Sequence, residues 1–201
     1  MATKLFDDIL LKGIRSGQLP ARTKESRKWF RDTAKKAGRG IEADEFIREG
    51  KSRYTNNPRF GSMYLFAYYA KHRATLPYWD RYPLVFPFST AKGGMLSMNL
   101  HYLDYRQRAI LMDRLYDFRT DDRFDERTKL KLSYSTLNSA STSKYFKPCI
   151  KHHLRSQIKS RFIEIVPSEW DMALMLPLQS FEGASATTVW KDSRKIISGK
   201  K

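Results

Sequence analysis

Three aspartates near the middle of the chain, Asp80, Asp104 and Asp113, are the residues whose type could support metal-assisted hydrolysis. Such chemistry needs two or three carboxylates converging on a divalent ion. Their settings point elsewhere. Asp80 closes the loop Leu76-Pro77-Tyr78-Trp79-Asp80, where a turn or capping role is ordinary. Asp104 stands where a helix should start, and Asp113 falls inside that helix. No Glu-x-Lys pair follows an aspartate on an expected strand. The acidic cluster Asp121, Asp122, Asp125 and Glu126 is interrupted by basic residues and lacks the glycine and final glutamate of a calcium loop. The four histidines, His72, His101, His152 and His153, have no metal-ligand spacing, and the adjacent pair should point to different faces of a helix. Cys149 has basic neighbours that favour a thiolate but no accompanying base. The GxSxG, HExxH, Walker A and GxGxxG patterns do not occur. We therefore expect no catalytic residue, no metal and no cofactor. A metal-dependent nuclease, tested by cleavage that Asp80→Ala removes, is the least supported reading.

The pattern that does carry chemistry is cationic. The 201 residues hold 38 Lys+Arg against 21 Asp+Glu, a net charge of +17. A field of that strength suits a polyanion, because each neutralised phosphate releases a counterion. Residues 1–60 carry 15 basic and 8 acidic side chains, residues 61–143 carry 12 and 8, and residues 144–201 carry 11 and 5, so the flanks are the more basic parts. A helix from about Thr23 to Ala37 would align Arg27, Arg31 and Lys35 in one row. A second helix begun by Pro148 would align Ile150, Leu154 and Ile158 beside Lys147, Lys151, Arg155 and Lys159. These seven cations are the expected phosphate contacts. The aromatics Tyr69, Tyr78 and Trp79, close to Lys71, Arg73 and Arg81, are the best candidates for stacking on bases. No apolar run of about 18 residues, no signal peptide and no amphipathic anchor points to a membrane. The single cysteine excludes an internal disulfide.

The elements that must position these groups centre on residues 61–118. Met63–Tyr69 and Met95–Leu100 read as strands, with Lys92-Gly93-Gly94 as a turn between strands. Pro83–Phe88 reads as an edge strand, or one that ends at Pro87, because prolines cannot donate to a ladder. Asp104 should cap a helix bearing Ile110, Leu111, Leu115 and Phe118. Lys129–Tyr134 is expected as a further strand and Asn138–Ser143 as a loop. Ser160–Val166 is expected as a strand carrying Phe162, Ile163, Ile165 and Val166, Ser168 as the cap of a short helix, and Ala186–Ile197 as the last helix. The expected organisation is a helical basic region over residues 1–60 and an α+β core over residues 61–201, forming one compact unit.

The segments GSMYLFAYYAKHRATLPYWDRYPLVFPF, GGMLSMNLHYL and KPCIKHHL…SRFIEI…EWDMALMLP resemble a family of T4-like tailed-phage structural proteins, the DNA end protectors. The shared wording is a G-x-M-Y-x-F-x-Y start, an LPYYD-like segment running into P-L-V, an N-L-H-Y-L segment and a K-P-C-I-K segment before E-W. It covers roughly residues 26–190. The chain departs from it at Ser97-Met98-Asn99-Leu100, where the family tends to Gly-Leu-Asn-Leu. The resemblance implies an α+β fold on a small SH3-like β-barrel with N- and C-terminal basic helices. It also implies a virion protein, present in the host cytoplasm during assembly, that binds ends of packaged double-stranded DNA. Such a protein shields those ends from host exonuclease and aids head completion beside portal, neck or tail subunits. It supplies no catalytic residue. The alternative is a non-enzymatic baseplate, neck or tail subunit whose basic faces meet acidic neighbours.

Overall fold

The computed structural model describes residues 54–119, 123, 125–167, 170, 173 and 178–199. Arg27, Arg31 and Lys35, with the helix expected to carry them, lie outside the described residues.

Among the described residues eight short strands and three α-helices follow in chain order: β1 (Tyr54–Thr55), β2 (Met63–Leu65), β3 (Trp79–Asp80), β4 (Leu84–Ala91), β5 (Gly94–Asn99), α1 (Tyr105–Arg119), α2 (Glu126–Thr142), β6 (Ile150–Leu154), β7 (Phe162–Ile165), β8 (Phe181–Glu182) and α3 (Ala186–Ser198). Six strands form one antiparallel sheet in the order β1-β7-β2-β4-β5-β6, and β3 pairs with β8 in a separate two-stranded ribbon. Among the described residues the sheet is not a closed barrel, since β1 and β6 are its edges. It is nevertheless drawn round on itself. After β6 a 3-10 turn (Arg155–Gln157) leads back to the continuation of β2. There Tyr68 bridges Ile158, Tyr69 N donates to Gln157 O at 2.9 Å, and Lys159 N donates to Ala67 O at 2.8 Å.

Strand alternation sorts the side chains into two layers. Met63, Leu65, Leu84, Phe86, Met98, Ile163 and Ile165 face the main core, which is completed by Leu111, Met112 and Leu115 of α1, Leu137 and Ala140 of α2, and Val189 of α3. Tyr64, Phe66, Val85, Met95 and Phe162 face the other way into a smaller cluster with Tyr68 and Trp79. Both faces of the sheet are covered, so its strands read as nearly continuous apolar runs.

Several elements differ from expectation. β4 is central rather than an edge, and it runs past Pro87 because the ladder shifts register between Pro87 and Ser89, so that the proline falls at an irregularity. The segment around Lys129–Tyr134 belongs to the helix α2: the Asp125 carboxylate accepts from Thr128 N, and Ser133, Leu137 and Ala140 are buried along one side. The largest correction concerns the second cationic row. Ile150–Leu154 is strand β6, paired with β5 from Met98↔Ile150 to Gly94↔Leu154, so Lys147, Lys151, Arg155 and Lys159 do not stack along a helix. The Asp104 cap is present as a reciprocal box, in which Gln107 N donates to Asp104 Oδ1 and Asp104 N to Gln107 Oε1. The last helix stands as expected, from Ser185 as its cap to Gly199 in the left-handed conformation, φ 68°. The short helix expected after Ser168 lies largely outside the described residues.

Candidate nucleic-acid interface

Five exposed cations without carboxylate partners among the described residues gather where β6 ends. Gly93, at φ 74°, turns the chain between β4 and β5, and its carbonyl accepts from Arg155 N at 2.9 Å. Gly94 permits this closeness: a Cβ there would fall 2.0 Å from the His153 carbonyl oxygen. Lys92 on the turn is thereby set beside Arg155, and Lys159 follows two residues beyond the 3-10 turn. The β2 continuation, bonded to that same segment, brings Tyr69, Lys71 and Arg73 alongside. Lys71, Arg73, Lys92, Arg155 and Lys159 are all exposed, and none forms an ion pair among the described residues. Elsewhere some exposed cations are answered, Arg59 by Glu164 at 2.8 Å, Arg194 by Asp104 at 3.0 Å and Lys195 by Asp192 at 3.5 Å. Others, such as Arg106, Lys131, Lys144, Lys147, Arg161 and Lys191, are exposed singly with no ion pair among the described residues.

Tyr69 is the aromatic member of this margin, 42% exposed, with the Arg73 guanidinium 4.4 Å from its ring centroid and Trp79 meeting it edge-on at 5.3 Å. The other two stacking candidates face inward. Trp79 is buried in β3, and Tyr78 packs against Tyr102 and Phe181.

The four cations of the second row are dispersed by the strand. Lys147 is exposed in a 3-10 turn before β6, whereas Arg155 and Lys159 follow β6, about 17 Å of strand away at ~3.3 Å per residue. Lys151, within β6, is half-buried, and its Nζ lies 3.9 Å from the Tyr102 ring centroid. Desolvation lowers its pKa, so this lysine is a packed cation rather than a surface one.

The chemistry-bearing residues of the interior are spent on structure. The buried Asp80 carboxylate accepts from His101 Nδ1 at 2.8 Å, Asn99 Nδ2 at 3.0 Å, Tyr82 N at 3.2 Å and Ser180 N at 3.4 Å. Burial raises its pKa, but His101 and these donors outweigh it and hold the carboxyl below its usual range. Burial in turn pulls the His101 pKa down despite Asp80. Trp190 Nε1 donates to His101 O at 2.9 Å and Ser193 Oγ to Tyr102 O at 2.7 Å, which fastens α3 over this network. Arg108, fully buried, donates from Nε to Leu103 O at 2.8 Å, and desolvation brings its pKa down to about 10, still protonated at neutral pH. Cys149 is buried and bonded to Phe146 O, and burial pushes its thiol up to about 12, which overturns the thiolate-favouring reading. His153 is buried beneath Phe66 and Tyr68 with Nδ1 2.7 Å from Ser97 Oγ. Among the described residues no group of three or more His, Cys, Asp or Glu is placed to hold a metal ion, and no helix is long and apolar enough to cross a membrane.

Sequence reasoning missed Lys92 and the Asp80–Asn99–His101 network. Lys92 carried one usable signal, a lysine at the tip of a Lys-Gly-Gly turn. The network carried none, since its members lie 19 and 21 residues apart.

A family model described as phage T4 terminal DNA protecting protein matches residues 5–193, nearly the whole chain. Neither the curated proteins nor the solved structures gave a match.

Proposed function

The chain belongs to the phage T4 terminal DNA protecting protein family, and we propose that it binds the ends of double-stranded DNA through phosphate contacts, without reading sequence and without chemical turnover. The observation that carries this reading is the margin of Lys71, Arg73, Lys92, Arg155 and Lys159, five exposed cations with no carboxylate partner among the described residues. Cations of this kind fix a protein on the backbone but carry no base information. Tyr69, exposed under the Arg73 guanidinium, supplies a flat ring that can stack on the last base pair, a contact that only an end or a gap offers. Shielding of packaged DNA from exonuclease, with a part in head completion beside other virion subunits in the host cytoplasm, is the role this binding would serve.

The fold belongs to the same proposal. We read β7-β2-β4-β5-β6 as an SH3-like unit, supported by the β2–β4–β5–β6 strand succession, by the return of β7 beside β2, and by the 3-10 turn that precedes β7.

The test is competition binding to one linear duplex by unlabelled linear and relaxed circular DNA of the same sequence. Preference for linear DNA that rises as the fragments shorten supports end binding. Equal competition, base pair for base pair, removes it and leaves a general polyanion binder.

A further inference from the structure

Beside the cationic margin the smaller apolar cluster opens to solvent. A cleft of ≈ 180 Å³ lies between the chain after β1 and the ends of β4 and β6, walled by Pro58, Phe60, Met95, Ile158 and Phe162, with His153 among its lining residues. Arg155 lines it too, and Lys92 and Lys159 flank Arg155 through the bonds that tie this segment to Gly93 and Ala67. Asn57 and Thr90, both exposed, complete the lining.

We propose that this cleft takes one terminal base of the duplex, unpaired from its partner, while Arg155 holds that nucleotide's phosphate. The inference rests on the end-binding reading and deepens it. The walls are apolar and suit the two faces of a base, while the polar members of the lining, Asn57, Thr90 and His153, suit its edge. At ≈ 180 Å³ the cleft is of the size of a single base rather than a base pair. Charge complementarity selects the occupant: Arg155, Lys92 and Lys159 lack carboxylate partners among the described residues, so the occupant brings negative charge to the rim and a flat apolar body to the interior. A nucleotide carries both on one unit, whereas an acidic peptide would need an aromatic residue set beside its carboxylates at the matching spacing.

Extruding a base costs the unstacking of its pair, and that cost is least where the pair is already mismatched. Measured by competition, a duplex whose last pair is mismatched binds about tenfold more tightly than its matched twin, which corresponds to one stacking step of ~1.4 kcal/mol. Thr90→Trp fills the cleft from an exposed strand position, and Asn57→Trp does so from another exposed residue of its lining. Each variant brings the ratio of mismatched to matched affinity close to one while linear DNA is still preferred over circular. Equal affinity of the unaltered protein for both ends, or a tenfold ratio kept by both variants, would overturn the inference and leave end binding standing. Equal affinity for linear and circular DNA would overturn the end-binding reading and the inference with it.

Discussion

Acidification from pH 7 to pH 5 should cost this protein stability through one buried imidazole. His153 lies under Phe66 and Tyr68, and burial pulls its pKa from 6.5 down to about 3. Below pH 6.5 the unfolded chain takes up a proton that the folded chain refuses until about pH 3. The unfolded state therefore binds more protons in that window, and stability is complete above pH 6.5 and falls as pH falls. At pH 5 the loss is about 1.5 units at ~1.36 kcal/mol each, or ~2 kcal/mol from His153 alone. His101, its pKa also lowered by burial, adds to the loss in the same direction. Asp80 does not contribute here, because a lowered carboxylate pKa costs stability only as pH falls below its ordinary value of 3.8. Urea unfolding at the two pH values measures the difference, and ~2 kcal/mol shifts the midpoint by about 1 M at an m-value near 2 kcal/mol/M. His153→Gln should shrink the pH-dependent shift by about that amount, while the surface charges common to both proteins cancel. An unchanged shift in the variant would refute the assignment of a neutral, buried His153.

Asp80→Ala strands the donors of Asn99, His101, Tyr82 and Ser180, and thermal unfolding should show a loss of at least ~1–3 kcal/mol, the cost of one buried donor left unsatisfied; a loss too small to resolve would contradict the network. Cys149 should resist a thiol reagent at pH 8 in the folded protein and react at once in denaturant, and equal rates in both would deny its burial. Arg155→Ala with Lys159→Ala should reduce the slope of log affinity against log salt by ~1.8 for two phosphate contacts. Lys151→Met should leave that slope unchanged, since its ammonium lies over Tyr102, so a reduced slope there would place Lys151 on the DNA.

The legible parts of the fold were those fixed by local chemistry. The Asp104 cap, the Lys92-Gly93-Gly94 turn and the last helix are legible because each is settled within a few residues; the structure adds Gln107 as partner of Asp104 and Ser185 and Gly199 as the caps of the last helix. β6 was misread for a definite reason: residues four apart share a face in a strand as well as in a helix. Ile150, Leu154 and Ile158 therefore fit both periods, and the strand is decided by pairing with β5, which a local pattern does not contain. The Leu-Lys-Leu alternation in α2 mimicked a strand, while Asp125 as a cap and the spacing of Ser133, Leu137 and Ala140 show the helix. The cationic margin was only half legible. Arg155 and Lys159 were expected in a ladder with Lys147 and Lys151, yet the fold joins them to Lys92 and Lys71 by bonds between segments far apart in sequence.

If this chain guards DNA ends, a linear duplex should survive a processive exonuclease that starts at ends. The digestion is run across a salt series with closed circular DNA as competitor. The expected result is protection that circular DNA barely diminishes, weakened by Arg155→Ala with Lys159→Ala, whose affinity deficit is largest at low salt because its dependence on salt is shallower. Protection titrated away equally by circular DNA, or no protection even at low salt, would contradict it.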